Sequence, residues 1–204
     1  QGKPLASCSV YRWRVCLKDS KLSWSEWSAL ATFETALSKP EDFLARWIST
    51  PEPCWYSAGQ WQSGVPNQAT EKAKGLHAKG IYLTTRVALD YPRKSIERSR
   101  AYVTGVGTYQ LYVDGRQVGR SLLSPAQTDF HKRVYYDVVP LEEYVLPDCA
   151  SHDKTDMEVA LFLGNGRHIA LYGFGKPRGC VQILIDYHNG HRQWILSDEN
   201  WSVA

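Results

Sequence analysis

Carboxyl groups are the side chains of this sequence best suited to acid–base chemistry, and hydrolysis of a glycosidic bond is a reaction that they perform in pairs. One group acts as an acid with a raised pKa, and the other faces it across the scissile bond. The candidates fall in predicted turns or at predicted strand ends: Glu142, Glu143, Asp153, Asp156, Asp198 and Glu199. Their spacing marks no two of them as a pair, and no G-x-S-x-G nucleophile motif occurs. The sequence therefore predicts that this stretch is catalytically inert.

The segment Gly164-Asn165-Gly166 is the second place where chemistry could be expected, because glycine-rich loops cradle phosphates. A dinucleotide loop needs a further glycine, a helix directly after it and an acidic residue downstream in a βαβ unit. The residues after Gly166 carry no helix-capping signal. We therefore exclude a nucleotide site here.

Metal binding and disulfide formation depend on where histidines and cysteines lie. His188 and His191 flank a predicted type I′ turn at Asn189-Gly190, but two imidazoles do not form a zinc site without further ligands, so we interpret them as an exposed hairpin tip. An oxidising compartment would permit a disulfide, whereas the interpretation that we favour is small buried side chains with one or two exposed thiols. The five cysteines are scattered without a C-x-x-C pair: Cys8, Cys16, Cys54, Cys149 and Cys180.

Composition and charge exclude several classes of partner. The 24 Lys and Arg residues oppose 21 Asp and Glu residues, and this net charge of +3 is too small to indicate nucleic-acid binding. We interpret Arg93-Lys94 and the arginines at 98 and 100 as charges at strand edges. No apolar run reaches the length of a membrane span and no signal-peptide pattern starts the sequence, so no membrane partner is predicted. The compartment stays open between secreted and cytoplasmic, and Asn200-Trp201-Ser202 would accept a glycan only in a secreted protein.

The elements that must position these residues centre on residues 100–137, which show the period of an antiparallel β-module. The odd-numbered residues from Tyr109 to Val113 lie on one face of a predicted strand. Asp114-Gly115 then supplies a two-residue turn, which is the strongest short-range hairpin signal of the sequence. The chain is predicted to continue extended over residues 116–123, to stop pairing at Pro125 and to form a further strand over residues 133–139.

The remaining sequence also predicts strands rather than helices. A short helical turn is expected over residues 141–144, and Trp201 is expected to begin a final strand. Predicted strands cover residues 81–89, 99–104, 157–163, 179–187 and 192–196, the last two joined as a hairpin.

The N-terminal residues 9–35 resemble the tail of a fibronectin type III-like sandwich. Tyr11, Trp13 and Val15 alternate with arginines, and residues 31–35 form a second predicted strand. The tryptophans and arginines are expected to interleave as a cation–π ladder. Such a sandwich needs about 100 residues and seven strands, so we expect the sequence to begin inside a domain.

The segment Trp24-Ser-Glu-Trp-Ser28 also resembles the signature of type I cytokine receptors. That resemblance predicts a second complete fibronectin-like domain after it, and an interaction protein as the function. The sequence from Ile81 onward does not fit that prediction.

A polar linker over residues 36–41 and a long irregular stretch over residues 51–80 separate the N-terminal piece from the later strands. The stretch carries Trp55, Tyr56 and Trp61, and aromatic side chains on long loops suit sugar faces. The alternative that we favour is that these rings pin the loop to the sandwich.

Two motifs resemble the N-terminal β-sandwich of microbial α-L-rhamnosidases. One is Leu163-Gly164-Asn165-Gly166, and the segment Phe43–Ile48 resembles the family's entry into this domain. The other motif runs from Ala101 to Gly115 and continues with Val118-Gly119, Leu123, Pro125, Thr128-Asp129-Phe130 and Lys132 to Tyr136. The resemblance covers residues 41–204, and the order of its motifs leads us to identify this region as a member of the family.

The resemblance implies an all-β fold. We expect an antiparallel jelly-roll-like, galactose-binding-like β-sandwich over residues 41–204, preceded over residues 1–36 by the last strands of a fibronectin type III-like sandwich. It also implies a parent protein that hydrolyses terminal α-L-rhamnosides with inversion, through an acid and a base on an (α/α) barrel that this sequence lacks. The partner expected for this stretch is that barrel, in the same chain.

A sugar site, if present, is predicted at Asn165, Arg167 and His168 together with Trp55 or Trp61. Sugar recognition combines planar hydrogen-bonding groups with an aromatic ring against the C–H face. In the family, the loop that contains Asn165 lies at the rim of the sandwich and continues with aromatic residues. Arg167 and His168 stand in the places of those aromatic residues here. Ala126-Gln127 likewise replace a glycine and a tryptophan that are common in the family. Some members bind rhamnose through calcium, but no Asp/Asn cluster supports such a site, so no cofactor is predicted.

These observations leave three functions in view. The leading one is a non-catalytic accessory domain of an α-L-rhamnosidase. The others are a free-standing module that binds rhamnose-containing glycans, and the interaction module suggested by residues 24–28.

Overall fold

A computed structural model describes residues 4–21, 23–51, 80–130, 132–166 and 177–203. The chain divides into two compact units, Gln1–Leu44 and Ala45–Ala204. The predicted loop aromatics Trp55, Tyr56 and Trp61 lie outside the described residues.

The first unit contains one antiparallel strand pair, β1 (Val10–Trp13) and β2 (Ala31–Glu34). Tyr11 lies opposite Phe33 in the register, and their rings stack with centroids 5.3 Å apart. Large apolar side chains of this unit stay exposed, including Leu17 at 72% and Trp24 at 65%.

The predicted cation–π ladder is present in this unit, with one lysine in place of an arginine. The guanidinium carbon of Arg14 lies 4.5 Å from the ring centroid of Trp27, and Nζ of Lys18 lies 5.5 Å from that of Trp24. The serine after each tryptophan accepts a backbone N–H from the facing segment: Ser28 Oγ from Val15 at 3.0 Å and Ser25 Oγ from Leu17 at 2.9 Å. The repeated Trp-Ser pair therefore fixes this segment to residues 14–18.

The second unit consists of two antiparallel sheets, as the fold prediction requires. The five-stranded sheet has the order β11 (Ser202–Val203), β3 (Ile81–Ala88), β8 (Asp156–Gly164), β5 (Thr108–Val113), β6 (Arg116–Gln117). The four-stranded sheet has the order β10 (Arg192–Leu196), β9 (Arg178–Tyr187), β4 (Ile96–Val106), β7 (Asp137–Pro140). A single helical turn, α1 (Glu142–Val145), confirms the turn predicted there.

The apolar core lies between these sheets and follows the predicted alternation. In β5, Tyr109, Leu111 and Val113 are at most 5% exposed, while the residues between them are partly exposed. In β8, Met157, Leu161 and Leu163 belong to the same buried cluster. The all-β sandwich prediction is confirmed.

The two sheets differ in how their outer faces are covered. In the four-stranded sheet the outward-facing Tyr102, Gln182 and Leu184 are at most 1% exposed. Segment 45–49 contributes to this burial: the backbone N–H of Ala45 donates to Gln182 Oε1 at 3.2 Å, and Ile48 bridges to Gly179. The outer face of the five-stranded sheet stays partly open to solvent.

Arg93 corrects the interpretation of the basic residues as strand-edge charges. Its side chain is 1% exposed, and Nη1 donates to Asp114 Oδ2 at 2.5 Å and to the carbonyl of Val145 at 3.2 Å. Nε donates to the carbonyl of Asp156 at 2.9 Å. Arg93 therefore joins the start of β4, the β5–β6 turn, α1 and the start of β8. Arg98 and Arg100 are also mostly buried, paired with Asp186 and Glu142.

The turns match the sequence in one case and differ in another. Asp114 and Gly115 both have positive φ, 47° and 74°, as a type I′ turn requires. At the second hairpin only Gly190 has positive φ, at 83°, and its N–H donates to the carbonyl of Tyr187. That connection is a three-residue loop with a glycine bulge, so the predicted type I′ turn at Asn189-Gly190 is wrong.

The stretch between β6 and β7 is less regular than predicted. β6 ends at Gln117, and Gly119 has φ of 73°, so residues 116–123 do not continue as one extended strand. The predicted strand over residues 133–139 begins at Asp137.

Candidate functional site

The Gly164-Asn165-Gly166 segment lies at the end of β8, packed against the corner between β4 and β5. Gly107 has φ of 106°, and a Cβ built there would lie 2.3 Å from the carbonyl oxygen of Gly164. A Cβ on Gly166 would lie 2.9 Å from the carbonyl carbon of Gly107. Close backbone contact therefore explains glycine at positions 107 and 166, whereas a Cβ on Gly164 would lie 2.5 Å from Oγ1 of the Thr108 side chain.

Asn165 is the one predicted sugar-binding residue within the described part of the chain. Its Oδ1 is buried without a hydrogen-bond partner among the described residues. Arg167, His168, Trp55 and Trp61 lie outside the described residues, so the assembly of this site stays a prediction.

Five of the six carboxylates that could have supported acid–base chemistry are engaged in structural contacts among the described residues. Glu142 Oε1 accepts from the N–H of Ser99 at 2.9 Å and pairs with Arg100. Asp156 pairs with Arg86 at 2.8 Å, Asp153 with Lys94 at 2.6 Å and Glu199 with Arg46 at 2.7 Å. Asp198 accepts from the backbone and side chain of Asn200. The hydrogen bond from Lys94 lowers the pKa of Asp153, so the carboxyl group of Asp153 is poorly suited to act as a general acid.

Sequence analysis missed one partly exposed group of three aromatic residues and one glutamine, which we call the aromatic face: Tyr82, Gln110, Tyr112 and Phe162. Strand register aligns Tyr82, Phe162 and Gln110 in one row across β3, β8 and β5. Tyr112 lies in the next row, with its ring centroid 6.3 Å from that of Tyr82 and its hydroxyl donating to Gln110 Oε1 at 2.9 Å. Phe162 is 38% exposed. The alternation within each strand could have shown that these side chains share the solvent-facing side. Nothing in the sequence signals the pairing of strands that brings them together.

The aromatic face has the side-chain types that sugar recognition uses. It combines three rings with one amide, the groups that meet the C–H faces and hydroxyls of a sugar. Burial raises the pKa of Tyr82, and the charge of Glu158 and the neighbouring Tyr112 raise it further, so its hydroxyl stays a hydrogen-bond donor at neutral pH.

A groove of about 410 Å³ lies between β3 and β10 and is lined partly by Trp194 and Trp201. Its polar groups are already used inside the protein. Gln193 Nε2 donates to the carbonyl of Ala88 at 2.9 Å and its Oε1 accepts from the Tyr187 hydroxyl at 2.6 Å. Trp201 Nε1 donates to the carbonyl of Leu196. The groove is therefore a poor site for a polar ligand.

The described residues contain neither a cluster of metal-ligating side chains nor a helix that could span a membrane. In the described ranges, no three His, Cys, Asp or Glu side chains are placed to hold a metal ion. At the second hairpin, His191 Nε2 pairs with Asp90 at 2.7 Å rather than with His188. Among the described residues no helix is long and apolar enough to cross a bilayer.

Cys180 and Cys149 are expected to react very differently with a thiol reagent. Cys180 is 0% exposed, and burial raises the pKa of its thiol to about 11, despite the nearby Ser197 hydroxyl. Cys149 is free and exposed. Since the thiolate is the reactive form, iodoacetamide at pH 8 should modify Cys149 and spare Cys180 until the protein unfolds. Peptide mapping by mass spectrometry checks this, with Cys149→Ser as the control; equal labelling of both in the folded protein would contradict it.

Comparison with known proteins matches both units to rhamnosidase families. The family described as "Alpha-L-rhamnosidase N-terminal domain" matches residues 94–204, and "Rha78A-like, N-terminal immunoglobulin domain" matches residues 1–39. The chain is 24% identical to an alpha-L-rhamnosidase of Formosa agariphila over 100% of its own length, and 27% identical to one of Streptomyces avermitilis over 93%.

Solved structures agree with this match. The alpha-L-rhamnosidase of Dictyoglumus thermophilum is 30% identical, with a TM-score of 0.77 over 100% of this chain. The enzyme of Aspergillus terreus, at 18% identity and a TM-score of 0.70, shares the fold. The chain spans about a fifth of these relatives: 22% of the Formosa protein, 20% of the Streptomyces protein, and 21% and 22% of the two solved chains.

Proposed function

This chain belongs to the alpha-L-rhamnosidase N-terminal domain family, and from that premise we propose that it is a non-catalytic accessory β-domain of an α-L-rhamnosidase acting on terminal α-L-rhamnosides. The proposed domains are residues 1–36, the end of a fibronectin type III-like sandwich, and residues 41–204, the rhamnosidase sandwich. The catalytic region would be an (α/α) barrel elsewhere in the same polypeptide, against which this part packs.

The observation that carries this proposal is coverage: relatives match along 100% or 93% of this chain, yet the chain accounts for only 22% or 20% of their length. The engagement of the candidate carboxylates supports it. Asp153, Asp156 and Glu142 are each held in an ion pair with a basic side chain, and the hydrogen bond from Lys94 lowers the pKa of Asp153, whereas a general acid needs a raised pKa.

Release of rhamnose from an aryl α-L-rhamnoside tests the proposal directly. The intact parent polypeptide and the 204-residue chain are assayed at matched concentration. We expect release by the parent and none by the chain alone. An inactive parent would contradict the assignment to a rhamnosidase, and an active chain would contradict the accessory role.

Carbohydrate binding by the isolated chain is the second candidate, and the open aromatic face is the observation that favours it. Calorimetric titration with L-rhamnose, with and without calcium, measures this activity. Binding that is lost in Tyr82→Ala and retained in Val203→Ala, an exposed control on β11, would assign the activity to the aromatic face. Loss in Asn165→Ala alone would assign it to the predicted loop site, and no binding by the wild-type chain would remove this candidate.

A further inference from the structure

We propose that one side of the sandwich, where β6 and β7 form the sheet edges, is the surface that docks on the remainder of the parent polypeptide. Four exposed apolar residues define this surface, which we call the leucine edge: Leu122, Leu123, Tyr135 and Val138. The inference rests on the proposed accessory function and adds to it the face that is used.

The exposure of these side chains is unusual for a surface without a partner. Leu122 is 66% exposed and Leu123 is 78% exposed, which are the largest exposed fractions among the apolar side chains described in this unit. Tyr135 and Val138 are also exposed, at 49% and 42%. Single exposed apolar residues need no explanation, but a group of them marks an interaction site.

The leucine edge is held in place rather than carried by a free loop. The N–H of Tyr109 donates to the carbonyl of Ser124 at 2.8 Å, directly after Leu123. The Tyr109 hydroxyl donates to Asp137 Oδ2 at 2.5 Å, directly before Val138, and Thr104 Oγ1 donates to the carbonyl of Tyr135 at 2.6 Å. One buried tyrosine therefore connects the two halves of the patch. A preorganised surface loses little entropy on binding.

The strand beside the patch leaves its backbone available as well. β7 is the last strand of the four-stranded sheet, and no described strand pairs with its outer edge. Proteins cover such edges or shield them with charge, because an open edge can pair with another chain. A neighbouring domain over the leucine edge would cover both the apolar side chains and this edge.

The charges around the patch indicate the chemistry of the docking surface. Three basic residues, Arg120, Lys132 and Arg133, lie in the same connection between β6 and β7, against one acidic residue, Asp129, with which Lys132 pairs at 3.5 Å. The partner surface is therefore expected to be apolar at its centre and acidic at its rim. The remainder of the parent polypeptide is the occupant to which we commit, because relatives of this chain extend about fourfold beyond the part that it matches.

Deuterium uptake of the intact parent polypeptide, compared with that of the 204-residue chain, tests the inference. We expect amides of residues 118–138 to exchange at least tenfold more slowly in the parent, and amides of β9 to be protected in both, which confirms that the chain folds alone. Leu122→Ser combined with Leu123→Ser should remove the added protection in the parent, because it deletes the apolar centre of the contact. Val203→Ser, an exposed apolar residue at the other side of the sandwich, serves as the matched control and should leave it intact.

Each outcome separates this inference from the proposed function. A parent that releases rhamnose but gives residues 118–138 no added protection overturns the docking surface alone. A parent that shows the protection without releasing rhamnose supports the surface and contradicts the rhamnosidase assignment. Protection that appears in the isolated chain and grows with its concentration would assign the surface to self-association and overturn our choice of occupant.

Discussion

Asp114→Asn is expected to lower the free energy of unfolding by about 3 kcal/mol, because it leaves the Arg93 guanidinium buried without a counter-charge. Arg93 is 1% exposed, and Asp114 supplies the carboxylate with which it pairs within the described structure. Asparagine tolerates the positive φ of this position and keeps an oxygen for the N–H of Glu158, which donates to Asp114 Oδ1 at 2.9 Å. The substitution therefore tests the charge rather than the turn. Urea denaturation measures the change.

The same pair predicts how stability depends on pH. Burial alone would raise the pKa of Asp114, but hydrogen bonds from Arg93 and from the N–H of Glu158 outweigh burial, so the pKa lies below its ordinary value of 3.8. The folded state therefore favours the ionised carboxylate. The contribution of the Asp114 carboxylate to the free energy of unfolding is complete above the pKa that Asp114 has in the unfolded chain. It is lost as the pH falls through the pKa that Asp114 has in the folded protein. The difference between wild type and Asp114→Asn should be constant near pH 7 and shrink below about pH 4.

Asp153→Asn is the matched control for this prediction. Asp153 also pairs with a basic residue, Lys94, but its side chain is 81% exposed. Exposed ion pairs contribute at most about 1 kcal/mol, so little change is expected. Equal effects of the two substitutions would show that the burial of Arg93 carries no special cost. The double substitution Arg93→Met with Asp114→Asn should recover part of the loss, because no uncompensated charge then stays buried.

Gly107→Ala is expected to cost more than about 3 kcal/mol of unfolding free energy or to prevent folding altogether. A Cβ at this position would lie 2.3 Å from the carbonyl oxygen of Gly164 and 3.1 Å from that of Asn165. Both obstacles are backbone atoms, which cannot rotate away as a side chain can. The backbone φ of 106° adds conformational strain for any L-residue.

Gly115→Ala separates steric conflict from backbone strain. Gly115 also has positive φ, at 74°, but a Cβ there would meet nothing within 4 Å. Its substitution should therefore cost only about 1–2 kcal/mol, the penalty of the left-handed region. If urea denaturation gives similar losses for both variants, close contact between the two backbones is not the reason for glycine at position 107.

Local patterns of the sequence predict most of the sandwich because they depend on neighbouring residues. The alternation of Tyr109, Leu111 and Val113 specifies which face of β5 is buried, and Asp114-Gly115 specifies a turn with positive φ at both positions. The prediction of a type I′ turn at Asn189-Gly190 was wrong because the type of a hairpin turn also depends on the register of the flanking strands. In this register the N–H of Tyr187 donates to the carbonyl of His191.

Long-range contacts explain what the sequence could not predict. Arg93 looked like an edge charge because its partners, Asp114, Val145 and Asp156, are 21, 52 and 63 residues away. The aromatic face was missed for the same reason, since Tyr82 meets Phe162 only through the pairing of β3 with β8. Of the predicted sugar-binding residues, Asn165 lies in the described structure, and the sugar site itself stays a prediction.

The pairing of β11 with β3 also sets the order in which this protein can form during synthesis. Leu83 and Thr84 of β3 have Val203 and Ser202 of β11 as their partners on one side, so the five-stranded sheet is not complete until the residues near position 203 have left the ribosome. The β1–β2 pair joins residues about 20 apart and can form much earlier. A nascent chain that has passed β3 but not reached β8 exposes that strand unpaired on both edges. We therefore expect the five-stranded sheet of the second unit to be completed late in synthesis.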